Sequence, residues 1–140
     1  MKNLATAIKS KASGSAFNTA IGGRLYRGAA PDGATYPYVV YLLPISDDPQ
    51  SESTFTEDCE LVQMQFSIFS NTQGSTNEVE TIFGYLKALY DWCNLTITGS
   101  ELFYMQRTNA ILMSEDHTTI NGNQRVWHYA VDYEILTQLN

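Results

Sequence analysis

Apolar residues recur along this chain with two different periods, and the places where the period changes predict its elements. From Asn3 to about Lys11, Leu4, Ala7, Ile8 and Lys11 fall three and four positions apart, the signature of one helix face, with Lys2 and Lys9 on the polar side. Ser13-Gly14-Ser15 breaks that helix, and Gly22-Gly23 ends whatever short helical turn forms over Ala16 to Ile21. Arg24 to Arg27 is a short extended candidate, followed by the turn-forming Gly28-Ala29-Ala30-Pro31-Asp32-Gly33. Tyr38-Val39-Val40-Tyr41-Leu42-Leu43 is β-branched and aromatic between two prolines and predicts a strand.

Ser46 to Glu57 has neither period. It reads as a loop, or as a hairpin arm that packs on something outside the domain. From Cys59 to Ser70 strict alternation returns, with Val62, Met64, Phe66 and Ile68 on one face and Gln63, Gln65 and Ser67 on the other, which is a strand with one buried face. Ser75-Thr76-Asn77-Glu78 has capping-box spacing, and Val79, Ile82, Phe83, Leu86, Leu89, Tyr90 and Cys93 then follow helical spacing. Gly84 inside that helix suggests close contact with a strand.

Leu102 to Met113 is a further strand, with Phe103, Met105, Ile111 and Met113 assigned to one face together with Arg107 and Asn109. Ser114 to Asn123 is turn-forming, with Asn121-Gly122 as the reversal. The closing strand, Arg125 to Leu136, places Trp127, Tyr129, Val131, Tyr133 and Ile135 opposite His128, Asp132 and Glu134. Runs of strands and helices without repeats or regular βαβ alternation predict an α+β fold, a single domain over 1–140 with a mostly antiparallel sheet packed on one side by helices.

Composition narrows the function. At 140 residues with 44% hydrophobic and only 16% charged residues, the chain can bury one core and is too apolar to remain disordered. Eight basic against 15 acidic residues leave a net charge of −7, which excludes a surface built to hold nucleic acid by its phosphates and disfavours an anionic membrane surface. Cys59 and Cys93 make neither a metal-ligand spacing nor a disulfide framework and read as buried free thiols. The N-terminal stretch lacks an apolar run of signal length, and no window approaches the roughly 20 apolar residues of a membrane span, so synthesis in the cytoplasm is expected.

Motifs for phosphate loops, dinucleotide folds, zinc helices, calcium loops and nucleophile elbows are missing from the sequence, and with them the simplest evidence for an enzyme, a metal or a cofactor. The best enzymatic constellation is Glu115-Asp116-His117, two carboxylates beside an imidazole, which otherwise reads as a solvated hairpin tip offering contacts. His128 is the other histidine available to such a site. The acidic stretch with Asp47, Asp48, Glu52, Glu57, Asp58 and Glu60 lacks calcium-loop spacing and reads as a solvated loop, an interaction arm or a charge-repelling surface. Tyr26, Tyr36, Tyr38 and Tyr41 cluster around the first long strand, as core and subunit packing or as a carbohydrate or peptide platform.

Gly23-Arg24-Leu25-Tyr26, Ala30-Pro31 and Pro37-Tyr38-Val39-Val40, in that order after a short helix, resemble the tail-completion proteins of tailed bacteriophages, also described as tail terminators or tail-to-head joining proteins. The pattern continues in ELVQMQFSIFS, the amphipathic helix after it and the closing VWHYAVDYEIL. The polar stretch Asp47 to Glu57 departs from it and leaves the neighbouring family of head-to-tail connectors open. The resemblance implies a non-enzymatic virion subunit without cofactor, forming a ring, expected to hold six copies, on the head-proximal end of the tail tube. Its partners would be itself, the tail tube protein and the head connector or stopper, with DNA passing through the ring unbound and no membrane involved. Asp47, Asp48, Glu52, Phe55, Glu57 and Asp58 are then the candidates for a ring-interface or lumen loop. The alternatives are a portal-side stopper or adaptor, or a small α+β enzyme or ligand-binding domain using Glu115, Asp116 or His128 in a pocket between sheet and helix.

Overall fold

The computed structural model describes residues 2–50, 59–119 and 122–139. Along the chain these form α1 (Lys2–Ala12), α2 (Ala16–Ala20), β1 (Leu25–Arg27), β2 (Tyr38–Gln50), β3 (Cys59–Ser70), α3 (Asn77–Tyr90), β4 (Ser100–Thr119) and β5 (Gly122–Leu139). The strands make one sheet in the order β1-β2-β3-β5-β4, antiparallel throughout except for the short parallel β1–β2 pair. The fold is α+β, as the periodicity predicts.

Alternation in β3 sets the two faces. Val62, Met64, Phe66 and Ile68 are each 0% exposed, and their cross-strand partners Ile135, Tyr133, Val131 and Tyr129 on β5 point the same way. The helices cover this face. Val79, Ile82, Phe83, Leu86 and Tyr90 of α3 supply the apolar stripe, and α1 adds Leu4, Ala5, Ala7 and Ile8. Tyr90 carries its hydroxyl into the core and donates it to the Ile8 carbonyl at 2.7 Å, which ties α3 to α1. Ser15 caps α2 by accepting from the Asn18 amide at 3.1 Å.

Several sequence expectations change. The strand expected to end near Leu43 continues, past an irregularity between Leu42 and Ser46, to Gln50, so Ser46 to Gln50 takes the hairpin-arm alternative, paired with β3, and not the loop. Its ladder to β3 satisfies the backbone whatever the side-chain polarity, and a missing period says little about an arm that extends past the core. β4 likewise runs to Thr119, so Glu115, Asp116 and His117 are strand residues rather than a hairpin tip, and the reversal lies between Thr119 and Gly122. Bulges between Leu102 and Tyr104 and between Arg107 and Asn109 shift the faces of β4. Met105 is buried, but Phe103 and Ile111 are 50% and 49% exposed, while Ala110 and Leu112 pack toward the core in their place.

The expected capping box does not form. Thr76 is the N-cap without a side-chain cap bond, Ser75 Oγ accepts from the Asn77 amide, and Glu78 turns away to accept from the buried Ser70 hydroxyl at 2.6 Å. Cys59 and Cys93 are free but half-buried, not buried. Gly84 contacts no strand: it is exposed, and a Cβ built on it meets nothing within 4 Å. Gly84→Ala is therefore expected to stabilise the protein by about 0.5–1 kcal/mol, the helix propensity difference, as a raised urea midpoint at constant slope.

Candidate functional site

Among the described residues no helix packs on the sheet's second face. Parity places Tyr26 of β1, Tyr38, Val40 and Leu42 of β2, Gln63, Gln65, Ser67 and Phe69 of β3, and His128, Ala130, Asp132 and Glu134 of β5 on it, joined by β4 from the edge. One end is aromatic. Tyr38 packs on Tyr36 and on Phe69 with ring centroids 5.1 Å apart in both pairs, Tyr26 meets Tyr38 edge-on at 6.2 Å, and Phe69 stacks on the His128 ring at 4.5 Å. Tyr41 does not belong to this group. It points to the helical side, 3% exposed, against Phe66, so the tyrosines grouped by sequence divide between core and open face.

A carboxylate links both histidines at this end. Glu115 Oε2 lies 3.1 Å from His117 Nε2, and Oε1 lies 2.6 Å from His128 Nδ1. An ionised carboxylate only accepts, so both imidazoles donate to it, and in the neutral ring His117 is left with Nδ1 as an acceptor. The Tyr36 hydroxyl, 3.0 Å away, donates to that nitrogen in this tautomer. Asp116 takes no part: it faces the other way, opposite Arg125 across β5, 3.7 Å from its guanidinium with both side chains 64% exposed. The constellation seen in sequence thus splits, and Tyr36, Phe69 and His128 complete its Glu115-His117 half.

Burial works against the charge on Glu115, but hydrogen bonds from His128 and His117, and their positive charge when protonated, hold its carboxyl below the usual range. Burial, with Tyr36 next to it, pushes the Tyr38 phenol up to about 12, so Tyr38 stays neutral. A group whose folded pKa is lowered contributes stability above its unfolded pKa and loses it as pH falls through the folded value. Wild type is therefore expected to exceed Glu115→Gln in stability at neutral pH, and the gap to close in acid below the carboxylate range. Urea denaturation of both proteins across pH checks this.

Chemically the cluster is turned inward. Both oxygens of Glu115 and both nitrogens of His117 are engaged with neighbours, and the one free nitrogen, His128 Nε2, is buried without a partner. Beside it an open groove of about 930 Å³ runs between the Gly28 to Tyr36 segment and the sheet, lined by Pro31, Asp32, Tyr38, Val40, Gln65 and Phe69 among others. No group of three His, Cys, Asp or Glu that could hold a metal ion occurs among the described residues. No helix among them is long and apolar enough to cross a membrane.

The middle of the open face is polar. Glu134 accepts from Tyr104 Oη at 2.9 Å and from Gln63 Nε2 at 3.4 Å, and Asp132 accepts from Gln65 Nε2 at 2.9 Å. Asp47 and Asp48 lie on the β2 arm, opposite Val62 and Leu61 of β3. Glu52, Phe55, Glu57 and Asp58 lie outside the described residues.

No protein family model and no curated protein matches the sequence. The fold does match solved structures. One, from the virion of a native gene transfer agent particle, superposes with a TM-score of 0.60 at 12% identity, covering 94% of this chain and 96% of that one. A second superposes with a TM-score of 0.53 at 11% identity, covering 96% of this chain and 94% of its own.

Proposed function

We propose that this chain is a structural subunit of a phage-like virion, which closes as a ring, of six copies by the resemblance, on the head-proximal end of the tail tube. There it ends tube polymerisation and joins tail to head. The observation that carries this reading is the end-to-end fold likeness to a protein of a gene transfer agent virion, at 94% and 96% coverage. It agrees with the tail-completion pattern at Gly23 to Tyr26 and Pro37 to Val40. Both oxygens of Glu115 and both nitrogens of His117 are engaged with neighbouring side chains, which supports a structural over an enzymatic role.

The subunit's partners are its own copies, the tail tube protein and the head connector. Its place is the head-tail junction of the virion, after assembly in the host cytoplasm. Asp47 and Asp48 of the β2 arm, with Glu52, Phe55, Glu57 and Asp58 beyond it, supply the ring-interface or lumen segment. Carboxylates there repel the phosphates of passing DNA. Asp47→Lys with Asp48→Lys is expected to raise DNA affinity at low salt in a filter-binding assay; unchanged affinity would remove the lumen assignment.

Electron microscopy of particles made with this gene disrupted, beside a complemented control, tests the function. The expected result is full heads lying apart from tails, with tails of uncontrolled length. Separate heads with tails of normal length would move the protein to the portal side as a stopper or adaptor. Normal joined virions would refute both.

A further inference from the structure

Charge is segregated between the two sides of this sheet. The strand positions on the open face include Glu101, Glu115, Asp132 and Glu134 and no Lys or Arg. Asp132 and Glu134 are contacted by neutral donors, from Gln65, Gln63 and Tyr104, which orient the carboxylates without cancelling their charge. Arg107 and Arg125 point to the helical side, toward Asp91 and Asp116. In contrast α1 has no acidic residue, and it carries Lys2, Lys9 and Lys11. Its outward surface is Lys2, Asn3, Thr6, Lys9 and Ser10.

The open face also exposes apolar side chains, Leu42 at 47% and Ile111 at 49%, flanking the polar rows. An antiparallel sheet can leave one face to solvent, but large aliphatic side chains exposed on that face offer apolar area to a further layer. One copy of the chain presents an anionic sheet on one side and a cationic helix on the other. These surfaces are complementary to each other and not to themselves, which is the condition for a head-to-tail contact that closes into a ring rather than a two-fold dimer.

We infer that the open sheet face of one copy is covered by α1 of the next, with Lys2 and Lys9 of its exposed surface set against Asp132 and Glu134. This deepens the ring reading and rests on it. The pairing predicts an association that forms at low ionic strength and weakens with salt.

Two charge-reversed proteins test it. Lys2→Glu with Lys9→Glu makes both surfaces negative, and Asp132→Lys with Glu134→Lys makes both positive. In sedimentation velocity at low salt, wild type is expected to self-associate and each variant alone to be weakened by about tenfold or more. Mixed one to one, the variants should associate again, and only in even-numbered species if the ring closes. Circular dichroism melts verify that each is folded. Should the lysine-face protein fail to fold, Asp132→Asn with Glu134→Gln replaces it, and weaker association with a shallower salt dependence is expected.

Wild type that stays monomeric at low salt, a variant that associates like wild type, or a mixture that does not recover would each overturn this interface. Those results leave the ring itself standing, since the microscopy of disrupted particles decides it separately. Joined virions in the disrupted strain would refute the ring whatever the charge variants do.

Discussion

Met64→Lys is expected to leave no folded protein at neutral pH, whereas Gln63→Lys, one residue earlier, should leave the urea midpoint within a small shift of wild type. Met64 is 0% exposed on the helical face of β3, opposite Tyr133 of β5. Among the described residues the core cluster around it holds no carboxylate to pair with an ammonium. Burying an unpaired charge costs several kcal/mol after relaxation, comparable with the roughly 5–15 kcal/mol that holds a domain together. Gln63 points to the open face, where its amide already meets Glu134 at 3.4 Å, and a lysine there faces a carboxylate. The contrast depends on register alone, because a one-residue slip exchanges the faces of a strand. Equal effects of the two variants, read by far-ultraviolet circular dichroism and urea titration, would contradict the sheet assignment.

Phe66→Ala is expected to cost about 3–5 kcal/mol, the range for removing a fully buried aromatic side chain. Its ring is the hub of the core: it stacks on Tyr90 at 4.9 Å, meets Tyr133 edge-on at 5.8 Å and packs near Tyr41 at 6.1 Å. The surrounding rings are themselves fixed. The Tyr90 hydroxyl is held by the Ile8 carbonyl, and that of Tyr133 donates to Asp91. Tethered neighbours collapse poorly into a cavity, which places the loss toward the upper part of the range. Denaturation of the variant beside wild type gives the difference, and a loss below about 1 kcal/mol would show that the cluster is not the core.

The core was readable where one face of an element is buried along its length. β3 is the clearest case, since Val62, Met64, Phe66 and Ile68 are spaced by two and all are fully buried. The pattern failed where strands outrun the core. In β2 beyond Leu43 and β4 beyond Met113, cross-strand hydrogen bonds sustain the ladder, and polar side chains there carry no period. Bulges in β4 defeated the face assignment for Phe103 and Ile111, because an extra residue changes parity without a composition signal.

The candidate site was legible only in pieces. Glu115, His117 and the neighbourhood of Tyr36 and Tyr38 each stood out, but Tyr36 and His117 are 81 positions apart, and no local spacing announces their hydrogen bond. Asp116 looked equivalent to its neighbours until alternation sent it to the opposite face. Charge segregation needed the fold as well: a net charge of −7 does not say that the cations of α1 and the carboxylates of β5 lie on opposite sides of one sheet.

The central claim, a ring subunit at the head-proximal end of the tail, is tested most directly by cryo-electron microscopy of intact particles carrying this protein. The account predicts a ring of density at the head-tail junction into which repeated copies of this five-stranded fold fit, each with α1 against its neighbour's open sheet face. Density for the chain in the capsid shell or at the distal tail tip, or joined particles that contain none of it, would contradict the account.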